Sequence, residues 1–85
     1  MLSRKTVADK LTAYLQGDLT LPELVDWAES AMRDGEFDEQ DLERVRDIVA
    51  RLGFADVRTF GLTWEDCRDM LQRLGYSAHI EVVRV

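Results

Sequence analysis

The sequence predicts a mainly α protein, a compact four-helix domain followed by one C-terminal β-strand. Three observations predict it. Helix-start signatures recur along the chain, and glycines stand where the matching helices would end. The stretches between them each carry one apolar stripe at the 3.6-residue spacing of a helix. At 85 residues the chain has room for a single domain with one modest core.

The first helix is predicted over about 4–16. Ser3 can cap it, with Leu2 and Val7 as flanking apolar residues but no acid three positions on. Its stripe is Val7, Leu11, Tyr14 and Leu15, and Gly17 stands after it. The second, over about 21–34, has the clearest start. Thr20 and Glu23 have the spacing of a capping box, in which each side chain accepts from a backbone N–H of the first turn, and Leu19 and Leu24 are placed as a hydrophobic staple. Its stripe is Leu21, Leu24, Val25, Ala28, Ala31 and Met32, and Gly35 follows.

The third helix is predicted over about 39–52. Asp38 is its cap, Asp41 the third-position acid, and Phe37 and Leu42 the staple. Leu42, Val45, Ile48, Val49 and Leu52 form its stripe. The fourth, over about 64–74, begins at Thr63 with Asp66 in the third position and Leu62 and Cys67 flanking. It offers Trp64, Cys67, Met70, Leu71 and Leu74 to a core. Gly17, Gly35, Gly53 and Gly75 are expected to be left-handed caps, with Phe54 after Gly53 reaching Val49 and Tyr76 after Gly75 reaching Leu71. Asp47–Arg51 and Asp69–Arg73 are spaced as i,i+4 ion pairs on the outer faces.

Residues 78–84 change character. Ala78, Ile80 and Val82 alternate with His79, Glu81 and Val83, the period of a strand. A lone strand leaves its backbone groups unpaired, so this one is expected to pair with 57–60 or with another chain, including a second copy in a homodimer.

Charge is distributed unevenly. The net charge is −6, yet residues 17–43 alone carry ten acids against Arg33. Such a field repels phosphate backbones and attracts basic partners, although an acid excess also serves solubility. The arginines at 44, 46, 51, 58, 68, 73 and 84 mostly have an acid three or four residues away, so no bare basic stripe forms. A nucleic-acid-binding regulator is therefore the least favoured reading. No apolar run approaches the roughly 20 residues of a membrane span, and the polar start is not that of a secretory signal. With one cysteine and no internal disulfide, a cytoplasmic location is expected.

Chemistry-bearing residues are sparse. Cys67 falls on an apolar helix position and the only histidine, His79, on the expected strand, so neither a nucleophile–base pair nor a zinc set is built. Residues 30–41 (SAMRDGEFDEQD) place a glycine as a calcium loop does, but Ser30 and Met32 stand where early carboxylates are needed, and the last position is Asp41 rather than glutamate. The head of the second helix lacks the serine on which an acyl carrier protein bears its prosthetic arm. No catalytic residue, metal ligand or cofactor is expected.

What remains is a surface. Glu23, Asp26, Glu29, Asp34 and Glu36, with Trp27 at their margin about 100° from the centre of the apolar stripe, are the expected partner-binding residues. Ile80 and Val82 of the strand join them as a second contact. The expected function is a non-enzymatic, acidic protein–protein interaction module. In outline the chain is similar to the nuclease-colicin immunity proteins, acidic four-helix domains of like length. That resemblance implies an alternative, an acidic immunity or antitoxin-type inhibitor of a basic bacterial toxin or nuclease. The Tyr-Tyr pair those proteins present on a short third helix is absent here, so no site residue carries over.

Overall fold

Helix α1 spans Arg4–Leu15, α2 Leu21–Asp34, α3 Leu42–Leu52 and α4 Trp64–Arg73 in a computed structural model that describes residues 2–55 and 61–78. The strand expected over 78–84, and its expected pairing segment 57–60, fall outside the described residues apart from Ala78, which is half-buried against the core.

Three of the four helices begin on reciprocal capping boxes. Thr20 N donates to Glu23 Oε1 at 2.9 Å, and Glu23 N donates back to Thr20 Oγ1 at 3.3 Å. Thr63 and Asp66 repeat the exchange at 3.0 and 3.1 Å. At α1 the third-position partner is Thr6, whose hydroxyl accepts from Ser3 N while Ser3 Oγ accepts from Thr6 N. No acid stands in the third position here, and the threonine hydroxyl accepts the same bond.

The start of α3 departs from expectation. The helix begins at Leu42 rather than Glu39, and Asp41 precedes it in the left-handed region at φ 60° with no side-chain cap bond. The cause lies far away in sequence. Leu2 N donates to Glu36 O at 2.6 Å and Asp38 N donates to Leu2 O at 2.9 Å, a parallel bridge between Leu2 and Phe37. Asp38 has thus spent its N–H on the N-terminal segment, and the Asp41 carboxylate turns to Arg4 Nε at 3.2 Å.

The glycines divide into two kinds. Gly17 (φ 81°) and Gly75 (φ 94°) are left-handed helix ends, each closed by a six-to-one bond, Asp18 N to Ala13 O and Tyr76 N to Leu71 O. Gly35 and Gly53 are not. Gly53 keeps right-handed angles while Phe54 N and Ala55 N bond back to Arg51 O and Leu52 O, so Ala55 is buried and Phe54 stays largely exposed. Gly35 is extended, and a Cβ there would stand 2.5 Å from both Ala31 O and Leu2 Cδ1. It is required by close approach, not by handedness.

The core is the meeting of the four stripes. Val7, Leu11, Leu24, Ala28, Val45, Ile48, Val49, Leu52, Cys67 and Leu74 are almost wholly excluded from solvent. Ala8 and Ala55, which the stripes omitted, are buried as well. Leu15, Met32 and Leu42, which they included, remain over a third exposed because each sits at a helix end. The radius of gyration, 12.7 Å, is close to the roughly 12 Å of a compact chain of this length. Among the described residues no helix is long and apolar enough to cross a membrane.

Candidate interaction surface

Helix α2 presents its acids outward because its apolar positions are committed to α1 and α3. Glu23, Asp26, Glu29 and Asp34 are all exposed, as is Glu36 just beyond the helix. They are not equivalent. The Glu23 carboxylate is occupied by the backbone N–H of Thr20, which holds it below the usual glutamate range. Asp34 pairs with its neighbour Arg33 at 3.2 Å. No described residue forms an ion pair with Asp26, Glu29 or Glu36. The carboxylates open to a partner are therefore these three, and two of the expected five serve the fold.

Trp27 closes an edge of the core. It is half-buried against the apolar cluster, and Lys10 Nζ of α1 stands over its ring, 5.6 Å from the centroid. An ammonium so placed is worth roughly 0.5–1 kcal/mol at a partly exposed site. The indole thus joins α1 to α2 and borders the acidic face without projecting from it. Ile80 and Val82 lie outside the described residues.

Two further features were not anticipated. One is a groove of about 760 Å³ between α1 and α4, lined by Ala8, Thr12, Leu15, Trp64, Leu71 and Tyr76 among others. Leu15 and Trp64 had been assigned to the core, and their place at the ends of their stripes was the available signal. Two of the groove's polar side chains are engaged locally: Thr12 Oγ1 donates to Ala8 O, and Asp9 binds Lys5 Nζ at 2.9 Å. The other is Arg51. It was expected to pair along its own helix with Asp47, but its Nη2 donates to Gly61 O at 2.8 Å and lies 3.6 Å from Asp66. One guanidinium thereby ties the end of α3 to the capped start of α4, whose Asp66 carboxylate is held below its usual range first by Thr63 N–H and last by this cation.

Cys67 is fully buried, and loss of solvation pushes its thiol up to about 11. A thiol so placed stays protonated at neutral pH and fills space as a small apolar group. Among the described residues no three His, Cys, Asp or Glu side chains come together as metal ligands. No family model, curated protein or solved structure matches the chain.

Proposed function

We propose that the protein is a non-enzymatic interaction module that receives a basic protein partner on the outer face of α2 and the turn after it. The observation that carries this reading is that three exposed carboxylates of α2 and the turn after it, Asp26, Glu29 and Glu36, form no ion pair with any described residue. Unpaired acids on one helix face repel one another, and a cation-bearing surface relieves that repulsion while gaining its own Coulomb attraction. Helix α2 is the rigid element such a site requires, being capped at its start and packed against both α1 and α3. Inhibition of a basic toxin or nuclease is the narrower form of the same reading, because an acidic face covering a basic active surface needs no catalytic group. The homodimer through residues 78–84 is a separate proposal.

The test compares partners captured from the native cell by the unaltered chain and by an Asp26→Asn, Glu29→Gln, Glu36→Gln variant. The unaltered chain is expected to retain a basic protein at about 0.05 M salt and release it towards about 0.5 M, as screening shortens the range of the field. The variant is expected to lose it at every salt concentration. Equal capture by both chains, or capture indifferent to salt, overturns the reading.

A further inference from the structure

We infer that the start of α3 is a two-position element, held in its short form by a clasp from the N-terminal segment. The sequence carries a complete start signal at Asp38, with Asp41 in third position and Phe37 and Leu42 as the staple, and the structure leaves it unused. In a capping box the third-position side chain accepts from the N–H of the cap residue. Here Leu2 O accepts that N–H at 2.9 Å. The displaced Asp41 carboxylate is taken by Arg4, two residues along from Leu2, at 3.2 Å. Both halves of the competing arrangement thus come from one short stretch of chain.

The other half of the unused start is already in place. Asp38 Oδ1 accepts from Gln40 N at 3.0 Å, the bond an N-cap makes to the second residue of its helix. The short and long forms differ over the three residues 39–41, and Asp41 among them sits in the left-handed region that side chains rarely adopt. Releasing Leu2 and Arg4 returns the Asp38 N–H to Asp41, turns Asp41 right-handed and adds about one turn to α3. Phe37, half-buried and bridged to Leu2, loses its backbone anchor in the same step. Glu39 then stands four residues before Glu43 on one helix face, so the spacing of the acids after α2 depends on whether the clasp is closed.

Backbone chemical shifts and amide exchange of the full chain test this. A Leu2→Pro, Arg4→Gln variant, lacking the guanidinium and the Leu2 N–H whose bond to Glu36 O seats the Leu2 carbonyl against Asp38, is expected to move the Cα shifts of Glu39, Gln40 and Asp41 to helical values. Glu43 N–H, a first-turn donor in the short form, is expected to gain exchange protection. Adding Asp38→Ala is expected to abolish both changes. Unchanged shifts at 39–41, or shifts to coil values while Val45–Leu52 stay folded, overturn the inference. Should the double variant not fold, Asp41→Glu in the otherwise unaltered chain serves instead. Glutamate is the preferred third-position residue, and the same helical shift is expected with loss of protection at Leu2 N–H. Persistence of the short form in that variant also overturns the inference.

Discussion

The starts of α2 and α3 are built from nearly the same sequence signal and end in opposite structures. Thr20 and Glu23 close a box on themselves, whereas Asp38 and Asp41 are separated by contacts with Leu2 and Arg4. Among the described residues, nothing from another part of the chain bonds to the N–H of Thr20. At Asp38 the backbone carbonyl of Leu2, just ahead of α1, takes the N–H. A local signal therefore sets the local structure only where no distant group competes for the same donor, and an aspartate in the left-handed region marks the place where the competition was lost.

Substitutions break this comparison in a definite order. The largest effect is expected from Gly35→Ala, because a Cβ there meets Ala31 O at 2.5 Å, a backbone atom that cannot swing away, and also the seat of Leu2. A loss of about 2 kcal/mol is expected from such overpacking, read from the urea midpoint. Unaltered stability would show that Leu2 is not held closely over that corner. Thr20→Ala and Thr63→Ala are each expected to lose about 1 kcal/mol, since each cap satisfies a first-turn N–H.

Asp41→Asn is expected to cost under about 0.5 kcal/mol. Asparagine tolerates the left-handed region, and only an exposed ion pair is lost. A loss equal to that of Thr20→Ala would make Asp41 a cap in effect and dissolve the contrast. The smallest effect concerns pH. Glu23 and Asp66 both titrate below their ordinary values in the folded chain, so the unfolded chain binds more protons in that range. The stability they contribute is full above the ordinary carboxylate range and is lost as pH falls from there through their depressed values. Glu23→Gln with Asp66→Asn is expected to flatten this acid limb in pH-dependent unfolding.

The same division explains what the sequence made legible. The four helices of the described residues, the capping boxes of α2 and α4, and the buried stripe from Val45 to Leu52 all follow from spacing within a dozen residues, and all are found. The true start of α3, the close approach at Gly35 and the reach of Arg51 to Gly61 depend on where distant backbone lies, which no local pattern encodes. The acidic surface was legible as charge but not as availability. That Glu23 and Asp34 are occupied while Asp26, Glu29 and Glu36 are open is a matter of which donors come within reach. The α1–α4 groove lay hidden because a stripe at helical spacing does not say which of its end residues find a partner.

The two tryptophans border α1 at different seams, Trp27 beneath Lys10 on the side of α2 and Trp64 in the groove on the side of α4. Helix α1 packs against all three other helices, so its seating governs the whole assembly. The chain therefore carries two native fluorophores that watch one helix from different directions. Replacing either indole with phenylalanine leaves a single emitter that reports its own seam. Emission changes during unfolding would then tell whether α1 leaves both neighbours together or parts from one of them first.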